Sequence, residues 1–243
     1  GPASIITANN VFAHVDDLIG FTQGVRGLLA DKGIFIFEVS YLADVYEKTL
    51  FDTIYHEHLS YHSVGPLHQY FTAQGLELID VTRIATHGGS IRGIAQIANG
   101  PRRVSKSVSN LMNLESNLKL DKPHTLKRYS NNIDKLKQQL QVLLYDFKQS
   151  GKNIVGYGAP AKATTLLYHF GLGSDMLDFI IDDSPQKQGL YLPGLHIPVL
   201  PSSVLYEKNP DYILILAWNF SDPIIKNHLS FSKAGGKFII PLP

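Results

Sequence analysis

The stretch "FDTIYHEHLSYHS", residues 51–63, gathers groups that can move protons. It holds His56, His58 and His62, Tyr55 and Tyr61, Asp52 and Glu57. The chain has 10 histidines in 243 residues, so this is a local concentration. Histidine can act as a base near neutral pH, and a neighbouring carboxylate can fix its tautomer or raise its basicity. Metal binding is the competing chemistry. His56 and His58 share a face on a strand, and His58 and His62 share one on a helix. The H-E-x-x-H spacing of a zinc helix is absent, and nothing in the spacing selects a metal. From the residues alone, an acid–base apparatus and a set of solvated or internally satisfied polar groups both stay open.

A second motif is Gly156-Tyr157-Gly158-Ala159-Pro160-Ala161, which fits G-x-G-x-x-A. It follows the apolar run "NIV" and opens a helix-like stretch. Glycine lets backbone approach a phosphate, and a helix N-terminus offers free N–H groups to it. Lys162, Thr164 and Thr165 would add a charge and hydroxyls. Asp182 and Asp183 end the next apolar run, near where a Rossmann unit places the acid that binds a ribose hydroxyl. The physics suits any nucleotide diphosphate, a nucleotide-sugar included. The alternative is a tight turn without a ligand.

These motifs need elements to position them. "VDDLIGFTQGVRGLLADKG" predicts a helix capped by Asp16 or Asp17 and ended by Gly33, with Leu18, Phe21, Val25, Leu28 and Leu29 at helical spacing. "IFIFEVS" predicts a buried strand. "GPLHQYFTAQG" predicts a helix stopped at Gly75, and "LELIDVTRIA" with "SIRGIAQIA" an antiparallel hairpin at a sheet edge around "THGG". Residues 103–150 predict a helical connector. Pro123 divides it, Ile133, Leu136, Leu140, Leu143 and Leu144 form one apolar stripe, and Gly151 ends it. From Gly151 on, "NIVGY", "DFIIDD", "YILILAWN" and "GKFIIPLP" alternate with helical stretches, which implies a parallel doubly wound sheet.

Composition sets further bounds. Apolar residues make up 44% of the chain, enough for a substantial core. With 22 basic and 21 acidic residues, the near-neutral balance argues against nucleic acid or a charged membrane surface as partner. No apolar run is long enough to span a membrane, and the N-terminal residues lack signal-peptide regions, so a cytoplasmic protein is expected. There are no cysteines, which excludes disulfides and thiolate sites from this chain.

"IYHEHLSYHS", "RIATHGGSIRG", "VGYGAPAKATTLL", "IDDSPQKQGLYLPGLHIPV" and "LILAWN", in this order, resemble the nucleotide-sugar C-methyltransferase family. The resemblance covers nearly the whole chain. It implies use of S-adenosylmethionine to methylate C-3 of a nucleotide-linked 4-keto-6-deoxy sugar. It also implies an N-terminal zinc lobe and a first cofactor-binding loop that this chain lacks, so the chain is expected to be the C-terminal portion of such an enzyme, with half a cofactor site and a missing N-terminal half as possible partner.

The fold class implied is α/β: the C-terminal half of a class I methyltransferase sheet (1–102), a helical connector (103–150) and a Rossmann-like nucleotide-sugar-binding domain (151–243). By resemblance His58 is the general base, with Tyr55 and Glu57 beside it. Asn10 lies near the cofactor, and His56 and His62 are bystanders. Tyr61, His87 and Ser90 are weaker additions near the sugar. Tyr157, Lys162, Thr164, Asp182, Trp218 and Asn219 are expected to bind the dTDP- or GDP-linked substrate, and Arg92 to be salt-bridged or phosphate-facing. No metal ligand is expected. A nucleotide-sugar-binding module without activity, and an NAD-dependent oxidoreductase, are the alternatives.

Overall fold

Most apolar residues at helical and strand spacing in the first hundred positions fold as that spacing suggests. The computed structural model describes residues 1–242, which divide into two compact units. The first comprises residues 1–50 and 56–129, and the second residues 51–55 and those from Ser130 onward.

In the first unit, β1 (Ala3–Asn9) leads to α1 (Leu18–Leu28), β2 (Leu29–Ser40) and α2 (Leu42–Glu47). Then follow α3 (Val64–Ala73), β3 (Leu76–Ile84), β4 (Ser90–Ile97) and α4 (Lys106–Leu118). The strand order is β1-β2-β4-β3. β1 and β2 are parallel, whereas β4 runs antiparallel to both its neighbours and inserts between β2 and β3. Phe12, Phe35, Phe37 and Phe71 are buried together at the centre of this unit's core.

One boundary differs from expectation. Asp17 caps α1 by accepting from the Gly20 N–H at 2.8 Å, as foreseen, but the helix ends at Leu28 rather than Gly33. Leu29 opens β2 and pairs with Ala3. Gly33 sits inside the strand, where a Cβ would lie 2.7 Å from the Ala3 carbonyl oxygen. Close strand pairing, not helix termination, is the reason for that glycine.

The connector residues form α4 and the long helix α5 (Pro123–Gln149), with Pro123 at its first position as proline's fixed φ favours. The division between the two units falls within α5. Ile133, Leu140 and Leu144 are buried, but Leu143 is 40% exposed and lies off the stripe expected to hold it.

The second unit is a five-stranded, all-parallel sheet of order β7-β6-β5-β8-β9. Its elements are β5 (Ile154–Tyr157), α6 (Ala161–Phe170), β6 (Ile180–Ile181), β7 (Val199–Leu200), α7 (Ser203–Lys208), β8 (Tyr212–Ile215), α8 (Ser221–Asn227), α9 (Leu229–Lys233) and β9 (Lys237–Ile239). The edge strand β7, two residues flanked by prolines at 198 and 201, was not expected from the sequence. The order in which strands are added reverses between β5 and β8, the switch point of a doubly wound sheet. No helix among the described residues is long and apolar enough to cross a membrane.

Candidate active site

In the first unit, two backbone bonds fix the histidine segment. The N–H groups of Leu59 and Ser60 both donate to the Ala13 carbonyl, at 3.0 and 3.2 Å. That pinning brings half-buried His58 beside His14, with ring centres 4.9 Å apart, and places Tyr61 edge-on at 6.3 Å. His14 was not among the residues singled out from the sequence. Its only local signal is its place after the run "NNVFA", and contact with His58 is made by folding. Glu57 and His56 are exposed, and Tyr55 is half-buried in the second unit.

His62 is separate from this group. It is buried and stacks on Phe12, with ring centres 5.1 Å apart, and burial pushes its imidazole down to about 4. Its Nε2 has no hydrogen-bond partner. A neutral, stacked imidazole behaves as a core residue.

Asn10 follows β1 with a positive φ of 53°, and its side chain is exposed at the carboxyl end of that strand. Ligands of open α/β sheets bind at such ends. Its backbone N–H is held by the Glu38 carbonyl at 2.8 Å. An exposed amide fixed at this point suits one edge of a cofactor site.

His87 and Ser90 serve the hairpin that joins β3 to β4. His87 is exposed with a φ of 54°, and fully buried Ser90 donates its hydroxyl to the Thr86 carbonyl at 3.0 Å. Gly89 lies against Asp44, where a Cβ would fall 2.3 Å from the aspartate side chain. Asp44 in turn pairs with Lys48 and Arg83. Arg92 pairs with Glu38 at 2.9 Å. Burial works against the Glu38 charge, but hydrogen bonds from Thr86 and Arg92 hold its carboxyl below the usual range.

The second unit holds its charged group around the glycine turn. Gly158 has a φ of 89°, and a Cβ there would sit 2.5 Å from that of Ala217, so the turn after β5 packs directly on the end of β8. Lys162, in the first turn of α6, donates to Asn219 Oδ1 at 2.7 Å. Its ammonium lies 3.6 Å above the centre of the Trp218 ring and 3.9 Å from Asp52. The Trp218 indole donates to Asp52 Oδ2 at 2.5 Å. Burial drives Lys162 down to about 8 against the opposing pull of Asp52. Burial likewise raises Asp52 against Lys162 and the indole. Both shifts lean toward neutral forms, so desolvation outweighs pairing at this separation.

Tyr157 and Asp182, expected at the substrate, are engaged internally. Asp182 accepts from the N–H groups of Ala159 and Ser184, at 2.7 and 2.9 Å, and from Lys187 at 3.2 Å. The buried Tyr157 hydroxyl donates to Asp183 at 2.7 Å and meets His228 Nε2 at 2.8 Å. Tyr206 meets His228 Nδ1 at 2.8 Å. One neutral tautomer, protonated on Nε2, satisfies the chain from Tyr206 through His228 and Tyr157 to Asp183. Thr164 is half-buried on α6. An open cleft of about 540 Å³ is lined by Trp218, Asn219, Ser221, Leu136 and the 240–242 segment. Among the described residues, no group of three histidine, aspartate or glutamate side chains could hold a metal ion.

A parallel strand pair extended by an inserted antiparallel strand, followed by a parallel five-stranded sheet, is α/β architecture of the class I methyltransferase type. Comparison with known proteins agrees. Residues 1–81 match a methyltransferase domain, and residues 85–243 match the C-methyltransferase C-terminal domain. The C-methyltransferase NovU of Streptomyces niveus is 36% identical over 243 residues, which is 100% of this chain and 58% of that protein. The chain belongs to the C-methyltransferase family. It spans 58% of the length of this curated relative.

Proposed function

We propose that the chain carries the base-bearing and nucleotide-binding parts of an S-adenosylmethionine-dependent C-methyltransferase acting at C-3 of a nucleotide-linked 4-keto-6-deoxy sugar. The observation that carries this reading is His58: half-buried, packed against His14, and held by a loop whose next two N–H groups are tied to Ala13. A hydrogen on carbon next to a ketone is acidic because the carbanion delocalises onto oxygen as an enolate. His58 takes that proton, and the packed His14 ring restricts how its imidazole can turn. Tyr55 and Glu57 supply a hydroxyl and a carboxylate to the same segment, suited to the enolate oxygen and to the base. S-adenosylmethionine, when bound, supplies an electrophilic methyl group. Asn10 fits beside it.

In the second unit, the glycine turn, Thr164, Asn219 and the cleft beyond Trp218 suit the nucleotide. The oxidoreductase alternative has less support, since Asp182 spends its carboxylate on two backbone N–H groups and Lys187. A cytoplasmic location accords with a nucleotide-sugar substrate.

Deuterium exchange at C-3 of a 4-keto-6-deoxy nucleotide-sugar tests the base. In the full-length protein, His58→Ala abolishes exchange while calorimetric affinity for the nucleotide-sugar stays close to wild type. Wild-type exchange in that variant would end the assignment.

A further inference from the structure

Asp52 is the one carboxylate of the histidine-rich segment that is fully buried, and its partners come from far along the chain. Oδ2 takes the Trp218 indole N–H, and the Lys162 ammonium lies 3.9 Å away. Oδ1 is buried without a hydrogen-bond partner. Its neighbour Phe51 stacks on Phe170 at the end of α6, ring centres 4.9 Å apart and tilted by 23°. Lys162 has 14% of its side chain exposed, and Asp52, Trp218 and Asn219 surround its ammonium. A lysine so enclosed has little left to offer a diphosphate.

The geometry points to Asp52 as a positioning residue: anchored by Trp218 and Lys162, it fixes residues 51–55 on the second unit and with them Tyr55. Lys162 and Trp218 then act on the reaction through Asp52 rather than by touching substrate. Asp52 precedes Tyr55 by three residues within the same unit, so a shift of the anchor moves Tyr55. Misplacement of reacting groups by about 1 Å can lower a rate by about 10²-fold. The kinetic part of this inference rests on the proposed function, in which Tyr55 serves the enolate oxygen; the anchor does not.

The test is a double-mutant cycle in the full-length protein with Asp52→Asn, Lys162→Met and both together. Removing one member of a buried pair leaves an uncompensated charge, whereas removing both relieves it. Each single variant is expected to lower kcat by about 10-fold or more, within the range for a misplaced group, with KM for the nucleotide-sugar little changed. The double variant is expected to be more stable to denaturant than either single one, which keeps the cycle readable if a single variant folds poorly. A large rise in KM for Lys162→Met, with Asp52→Asn close to wild type, would assign Lys162 to the diphosphate and overturn the proposal. Strictly additive losses of stability would overturn it too. If His58→Ala kept full exchange while the Asp52–Lys162 coupling persisted, the base assignment would fail and the anchor would stand.

Discussion

The indole N–H of Trp218 meets the carboxylate of Asp52 at 2.5 Å, across 166 residues of sequence. Trp218 is the single tryptophan of the chain and is itself buried. Trp218→Phe keeps an aromatic ring beneath Lys162 but leaves a buried carboxylate oxygen without its donor. An unsatisfied buried acceptor costs about 1–3 kcal/mol. Equilibrium denaturation should show a loss of that size.

His62 predicts a pH dependence of stability. Burial pushes its folded-state pKa down to about 4, from the ordinary imidazole value of about 6.5. The unfolded chain therefore binds a proton more readily than the folded one. The contribution is fully present above about pH 6.5 and is lost as pH falls toward 4. At pH 5 the loss is on the order of 2 kcal/mol. His62→Phe, which can stack on Phe12 without titrating, should flatten melting temperature against pH between 7 and 5. An unchanged slope would move the effect elsewhere.

Two glycines with positive φ should respond differently to alanine. Gly151 has a φ of 72° and open space around its missing Cβ, whereas Gly158 would press on Ala217. Gly151→Ala costs about 1–2 kcal/mol from backbone strain alone. Gly158→Ala adds an overpacking cost of about 1–3 kcal/mol. Thermal unfolding of the two variants side by side reads the difference.

Glu115 on α4 accepts from the Tyr41 hydroxyl at 2.9 Å and from the N–H groups of Val64 and Gly65 at 2.5 and 2.9 Å. It caps the first turn of α3, just after His62 and Ser63. Glu115→Gln turns an amide NH2 toward a donor and loses the charge that favours a helix N-terminus. Hydrogen exchange at Val64 and Gly65 should accelerate, with about 1–2 kcal/mol lost in stability.

Where side-chain spacing alone decides an element, the sequence was readable. Asp17, Pro123, Gly75 and, on α5, Ile133, Leu140 and Leu144 did what their types imply, whereas Leu143 did not. The end of α1 was not readable, because Leu29 continues the helical spacing and only pairing with Ala3 pulls it into a strand. Strand β7 has two residues, too few for a periodic signal. Within the histidine-rich segment only the family resemblance singles out His58, and its neighbour His14 lies far from it in sequence. Asp52 lies in the same segment, but its partners Lys162 and Trp218 follow it by more than a hundred residues, so no local spacing signals their contact. Tyr157 and Asp182 matched a nucleotide pattern by position, yet their polar atoms are consumed by His228, Asp183 and local backbone.

Residues 51–55 belong with the second unit although first-unit residues flank them on both sides. The polypeptide therefore passes between the units three times, at 50/51, 55/56 and 129/130, and no single cut can separate them intact. A fragment beginning at residue 130 would leave Phe170 bare of Phe51 and Lys162 without its counter-ion. Folding of the C-terminal sheet is thereby tied to a five-residue splint supplied from the other half of the chain.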